Sequence, residues 1–211
     1  MSMNSTDTAN FTSGNNMSAP PALSKLDGFL LRWRAKGFLF FGMRAQAADV
    51  FREILVRSPD DVHALNSLGY DALTTGHPAQ ALPYFEKALA LAPEKSNSHF
   101  NLAYTCEILG RLEEAEQEFR AAIAIEEKMD RAWYGLGLVL IRQKRFDEAL
   151  VALKRNTVLQ PMSPFAWYQM ARVHMLLEQP DEARHVIRHL KGFEPKVAAQ
   201  LERETGLKVS I

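Results

Sequence analysis

The chain has 211 residues, 24% of them charged, with 25 basic and 25 acidic side chains and no formal net charge. That balance removes any global pull toward nucleic acid or an acidic membrane. A single cysteine, Cys106, excludes an intramolecular disulfide, and no apolar run reaches the roughly 18 residues that a spanning helix requires.

Residues 1–22 are rich in Asn, Ser, Thr and Gly and end near Pro20-Pro21. They show no apolar periodicity, so a disordered tail is expected. With neither a charged start nor an apolar core, they do not read as a secretory signal. Phe38–Met43 followed by Ala45-Gln46-Ala47 imitates one. That run is too short, and Ala47 already belongs to the repeat described below.

Residues 23–43 form an unusual helix. Leu26, Phe29, Leu30, Trp33, Phe40 and Phe41 share one stripe, Leu31, Phe38 and Leu39 lie off it, and Arg32, Arg34 and Lys36 fall between. A helix apolar on more than one face needs more than one partner. One face is expected to pack on residues 62–95. The face bearing Phe29, Trp33, Phe40 and Phe41 is expected to be a docking face, covered by residues 1–22, a second copy or another protein. The alternative is an interfacial helix that brings a self-assembling scaffold to a membrane or a membrane partner.

From residue 28 the chain repeats every 34 residues without a gap, as 28–61, 62–95, 96–129, 130–163 and 164–197. The second unit shows the design. Leu65, Leu68, Gly69 and Ala72 recur at helical spacing, Gly76 and Pro78 interrupt, and Ala81, Leu82, Phe85, Ala88 and Leu89 follow. The twentieth place is always alanine: Ala47, Ala81, Ala115, Ala149 and Ala183. Four places later stand Phe51, Phe85, Phe119, Leu153 and Ile187. The thirty-second place is Pro59, Pro93, Pro161 and Pro195, with Glu127 as the exception, so that turn is expected to be tighter or more helical. The fifteenth place is Gly42, Gly76 and Gly110 in the first three units. Asp61 and Asp130 are expected to cap helix starts, as is Ser163 ahead of Pro164. Residues 198–211 supply a helix with a polar face, ended by Gly206, that can close the array. Such a period predicts an all-α chain of helical hairpins.

This pattern resembles the tetratricopeptide repeat. Trp133-x-x-Leu136-Gly137 and Trp167-x-x-Met170-Ala171 match its first half. Ala115-x-x-x-Phe119-x-x-Ala122 and Ala81-x-x-x-Phe85-x-x-Ala88 with Pro93 match its second. Arg34-Ala35 departs from it, so the first helix is atypical. The resemblance implies an all-α, right-handed solenoid of five 34-residue helix-turn-helix repeats with a C-terminal capping helix. It implies a non-enzymatic adaptor or assembly scaffold, with no cofactor, that holds a partner protein segment in a concave groove. The groove places are Asn66, Tyr70, Asn97, Asn101, Tyr104, Arg131, Tyr134, Tyr168 and Arg172, preceded by Arg32 and Lys36. Asn can hold a peptide backbone through both donor and acceptor, and Tyr and Arg are enriched in binding hot spots. Arg131 and Arg172 point to a partner with acidic side chains. One sub-class of the family grips a chaperone's terminal carboxylates with a Lys-Asn-Asn-Lys-Arg clamp. Asn101 and Arg131 match two of its places. Asn66, Tyr70 and Gly135 stand where Lys, Asn and Arg would be needed, so that ligand is not expected.

Charge is uneven along the chain, at +4 over residues 25–57, −8 over 58–130 and +5 over 131–211. Glu113, Glu114, Glu116 and Glu118 open one helix, where acids suit the dipole, and are read as a solvated face. An acidic middle argues against an RNA-reading array, because phosphate binding needs clustered Lys and Arg. No phosphate loop, nucleophile elbow or paired CxxC is present. His185 and His189 have metal-ligand spacing, but Arg184 and Arg188 beside them oppose a dication, so no metal is expected. Cys106 reads as a buried filler and Trp133 and Trp167 as core. The lone thiol suits a reducing, cytoplasmic setting.

Overall fold

Period and punctuation together dictate where helices begin and end, and the computed structural model, which describes residues 22–210, repeats them almost to the residue. The helices are α1 Lys25–Phe40, α2 Arg44–Arg57, α3 Val62–Thr74, α4 Pro78–Leu91, α5 Ser96–Ile108 and α6 Leu112–Ile125. They continue with α7 Asp130–Arg142, α8 Phe146–Leu159, α9 Pro164–Leu176, α10 Pro180–Lys191 and α11 Pro195–Thr205. From α3 onward, starts recur at the 34-residue period. The tail expected over 1–22 lies, apart from Ala22, outside the described residues. Odd and even helices pair in order, and each hairpin packs on the next, so the chain is an all-helical solenoid.

The first helix of each repeat ends on a left-handed residue. Gly42, Gly76 and Gly110 have φ of +72°, +81° and +78°. Lys144 and Glu178 occupy the same place at +61° and +58° although they carry side chains. The next residue's N–H then reaches back to close the helix, as in His77 to the Ala72 carbonyl at 2.8 Å and Arg145 to Leu140 at 2.9 Å. This geometry is required for the hairpin to reverse, and glycine adopts it most cheaply.

Packing explains the alanines. Ala81, Ala115, Ala149 and Ala183 have no exposed surface, and Ala47 almost none. The large residue at the twenty-fourth place fills the space between helices. A Cβ added at Gly69 would sit 2.7 Å from the Phe85 ring, and one at Gly137 would sit 2.7 Å from Leu153. Gly135 meets Phe119 of the preceding repeat in the same way. One ring thus wedges against two helices.

Several local expectations change. Asp61 caps α3, accepting from the Ala64 N–H at 2.9 Å, but Asp130 is already helical and Ser163 makes no side-chain cap bond. Glu127 leaves its turn as long as the others, held by Trp133 Nε1 donating to its carbonyl at 2.8 Å and by Arg155 pairing with its carboxylate. Trp133 and Trp167 are half-buried rather than core: each indole N–H ties down the turn before its helix. The closing helix starts at Pro195 rather than 198, and Leu207 and Val209 fold back beneath it.

The acidic helix start is not a uniformly solvated face. Glu116 is buried and takes hydrogen bonds at 2.7 Å from Arg145 Nη1 to both its oxygens, with Arg120 as a second partner. Burial pushes its carboxyl up, but the bonds from Arg145 and the charge of Arg120 prevail and hold it below the ordinary value. Arg120 and Arg145 both continue to Glu148, linking the third repeat to the fourth.

Ala115→Leu should overpack the hairpin and cost about 1–3 kcal/mol in denaturant unfolding. Lys144→Gly should relieve the left-handed residue and stabilise by about 1 kcal/mol. Glu116→Gln should cost about 1–3 kcal/mol at neutral pH, since the pair is only partly out of water. The Glu116 pKa is depressed on folding, so its contribution is present above the ordinary glutamate range of about 4.3 and is lost as pH falls through and below it. Unfolding curves at pH 7 and pH 3 should therefore show the variant's deficit shrinking in acid.

Candidate functional site: the concave groove

From α3 onward packing consumes the third, seventh and eighth places of each odd helix, and from α5 the tenth, and leaves the second, fifth and ninth free. The free places line a row of hollows along α3, α5, α7 and α9. The first hollow, about 620 Å³, is floored by Ala47, Ala48 and Phe51 and walled by Asn66, Tyr70, Asn97 and Asn101. The second holds Phe100, Tyr104, Arg131, Tyr134 and Phe165, and the third holds Tyr134, Phe165 and Tyr168 beside Val197 and Gln200 of α11. Eight of the nine expected groove residues therefore line one of these hollows, and Arg172 does not.

The chemistry changes from end to end. The first hollow is an amide site. Asn101 Nδ2 donates to Asn66 Oδ1 at 3.0 Å, one repeat away, and Asn66 Nδ2 donates to the Val62 carbonyl at 2.9 Å. Asn97 Oδ1 accepts from Arg131 Nη2 at 3.4 Å. These rungs orient the amides while leaving further donors and acceptors toward the groove. His63 shares this hollow; burial lowers its pKa, with Arg32 and Lys36 adding to the effect and Asp61 opposing it, so its ring is neutral at pH 7.

The second hollow is aromatic. Tyr104 lies parallel to Phe100 with centroids 6.3 Å apart, and the Arg131 guanidinium sits over the other part of the array, 4.6 Å from the Phe100 centroid. Tyr134 meets Phe165 at 6.5 Å. Phe165 is 67% exposed, which has no packing rationale. Phe100 and Phe165 were not among the residues read from the sequence. The signal was there, because they occupy the same fifth and second places as Asn66 and Arg131. Burial pushes the Glu107 carboxyl at this hollow up, with Arg142 opposing it. Among the described residues Arg131 has no carboxylate partner.

The C-terminal end closes on itself. Tyr168 donates to Glu204 Oε2 of α11 at 2.6 Å, and Arg172 lies 5.8 Å from the Tyr168 ring, close enough to act on Glu204. The expected pair Tyr168 and Arg172 is thus engaged by the chain's own last helix. No group of three or more potential metal ligands occurs among the described residues. His189 packs between Trp167, at 4.2 Å, and Phe193 rather than pairing with His185. Cys106 is buried, and desolvation pushes its thiol up to about 11, so it is an inert filler. No described helix is long and apolar enough to cross a membrane.

The hydrogen bond to Glu204 raises the Tyr168 phenol above its ordinary value, with burial adding to it. Glu204→Gln should bring that phenol back toward the ordinary range. Ultraviolet titration of the variant against the parent should show one tyrosine ionising earlier.

Two family models for the tetratricopeptide repeat match the sequence, over residues 66–131 and 108–157. The sequence has no significant match among curated proteins. Several solved structures share the architecture. YrrB, described as a tetratricopeptide-repeat protein with an unusual peptide-binding site, superposes with a TM-score of 0.73 at 19% identity, covering 85% of this chain and 94% of its own. PilW, a widely conserved type IV pilus biogenesis factor, gives 0.71 at 21% identity, covering 87% and 91%. MamA from Desulfovibrio magneticus gives 0.71 at 19% identity, covering 83% and 95%. Repeat sequence, helix order and these likenesses agree: residues 66–157 match the tetratricopeptide repeat, and the described chain has the fold of a tetratricopeptide-repeat solenoid.

Proposed function

We propose that the chain is a non-enzymatic adaptor that holds an extended segment of a partner protein along its concave groove. The observation that carries this reading is the row of groove side chains that folding does not use. Tyr70, Tyr104 and Phe165 stay exposed on the groove side, while the aromatics of the twenty-fourth place, Phe51, Phe85 and Phe119, are buried. Aromatic and arginine side chains at such places supply contact area at low entropic cost. The peptide-binding site of YrrB, on the same architecture, supports the reading by analogy of fold.

The two main hollows divide the work. Asn66, Asn97 and Asn101 offer amides to a peptide backbone. Phe100, Tyr104, Tyr134 and Phe165 take an apolar or aromatic side chain of the segment. Arg131, without a carboxylate of its own, selects an acidic residue or terminal carboxylate next to that anchor. Arg172 contributes less to this choice because Glu204 already answers its charge.

Selection of a displayed peptide library on the full chain tests this. Binding peptides should share an apolar anchor flanked by a carboxylate. Tyr104→Ala should weaken a selected peptide by about 1–2 kcal/mol, and Arg131→Ala should weaken it more at low salt than at high. Both variants should keep the parent's helical signal and melting temperature. Peptides that bind the Tyr104→Ala, Arg131→Ala double variant as well as the parent would move the working surface elsewhere.

A further inference from the structure

The first helix shows a second surface. Its buried side is Gly28, Leu31 and Ala35, with Phe38 half-buried. Leu31 and Phe38, off the sequence stripe, are thus on the packing side. The stripe itself faces out: Leu26, Phe29, Leu30 and Trp33 are more than half exposed, and Phe40 is 85% exposed. Phe29 and Trp33 touch edge-to-face, as do Phe40 and Phe41.

The repeat frame says what this face is. The third place of later odd helices is Ala64, Ser98, Ala132 and Ala166, all buried; in α1 it is Leu30, 55% exposed. The tenth place is half-buried in α3, as Asp71, and buried in the later odd helices, as Thr105, Val139 and Val173; in α1 it is Gly37, where an added Cβ would meet nothing within 4 Å. Leu30 and Gly37 thus stand at places that later repeats bury, whereas Phe29 and Phe40 stand at the second and thirteenth places, exposed in every repeat; among the described residues no helix precedes α1 to cover either set. A mid-helix glycine in open space weakens the helix and serves nothing within this chain. Between Trp33 and Phe40 it leaves a notch fit for a crossing helix.

We propose that this face is the contact of a two-fold dimer, N-terminal end against N-terminal end, with α1 of a second copy standing where a preceding repeat would stand. The exposed aromatic and leucine side chains amount to on the order of 800 Å², taking about 150–250 Å² for a whole aromatic. That is about what one partner contributes to a standard interface. The other end of the solenoid offers no complementary surface. There α11 presents Lys196, Gln200, Arg203 and Glu204 to solvent. With no exposed large hydrophobic residue after Leu176 among the described residues, the apolar end pairs with its own kind and not head to tail, which closes a dimer instead of propagating a filament. Charge fits a second copy better than an anionic bilayer. Arg32 is paired with Asp61, Arg34 with Glu53 at 2.8 Å, and Lys36 sits 5.7 Å over the Trp33 ring. Cations held in this way neither repel a twin strongly nor serve as the free basic rim that anionic lipid recruits.

Sedimentation velocity of the full chain across micromolar concentrations is the test. The expected result is a reversible monomer–dimer equilibrium. Phe40→Glu and Trp33→Glu should each raise the dimer Kd at least tenfold, with an unchanged melting temperature for the dilute monomer. Gly37→Leu fills the notch from a Cβ that meets nothing within 4 Å. It should also raise the Kd at least tenfold while leaving the monomer as stable or more so, a split that a merely structural glycine would not give. A dimer indifferent to all three changes overturns the proposal. So does a chain that stays monomeric, and flotation with phosphatidylcholine and phosphatidylcholine–phosphatidylserine vesicles then separates the reasons. Flotation lost in Phe40→Glu assigns the face to lipid, and no flotation assigns it to residues 1–21 or another protein.

Discussion

The structure depends on one wedge, the large side chain at the twenty-fourth place of each repeat. Phe85 and Phe119 illustrate it, each fully buried and each pressed against residues that carry no Cβ. A ring of that size can fill the gap between helices only where the opposite helix comes close, so Gly69 and Gly135 are as necessary as the rings. Burial is then complete between neighbours and absent beyond them, which is why the array has three successive clusters of core residues and no single centre. Everything else follows from places the wedge leaves over. Those on the inner edge become the groove, and on α1 the places left uncovered among the described residues become its apolar outer side.

The period made the helices and the alanine crossings legible, because each is repeated and repetition averages out local noise. What a single position does was harder to read. Lys144 and Glu178 adopt the left-handed turn without being glycine, and nothing in their chemistry announces it. Glu116 looked like one more surface acid; only the fold brings Arg145, 29 residues on, against it. The two apolar faces of α1 could not be ranked from spacing alone, since both are hydrophobic. The ranking came from Ala35, the small residue at the eighth place, which fixes the side on which α2 lies. Phe100 and Phe165 escaped notice because phenylalanine normally signals core, whereas these stand at groove places.

Groove and first helix differ in chemistry and so in the partners they suit. The groove is lined by oriented amides, tyrosines and a guanidinium, Arg131, with no carboxylate partner among the described residues, a surface that recognises polar backbone as much as side chains. The first helix is dry, broad and nearly without free charge, a surface that recognises another packed helix. The aromatic hollow is lined only by residues of the third to fifth repeats, away from α1, so it and the first helix can be used at once. A two-fold pair would then carry two grooves, and a partner with two copies of its segment would gain avidity without any new contact.

The bridges between repeats are unevenly spread. The junction of the third and fourth repeats is crossed by Arg145–Glu116, Arg120–Glu148, Arg155–Glu127 and Arg142 donating to the Glu107 carbonyl. Among the described residues no ion pair crosses from the second repeat to the third or from the fourth to the fifth, where Leu153, Ala166 and Met170 meet in an apolar contact. A linear stack opens at whichever joint a change of medium weakens most. Concentrated salt screens the charged joint, and cooling weakens the oily ones. The same array therefore answers brine at its third–fourth joint and cold at the joints that flank it, so that two different features of its surroundings act at alternate places.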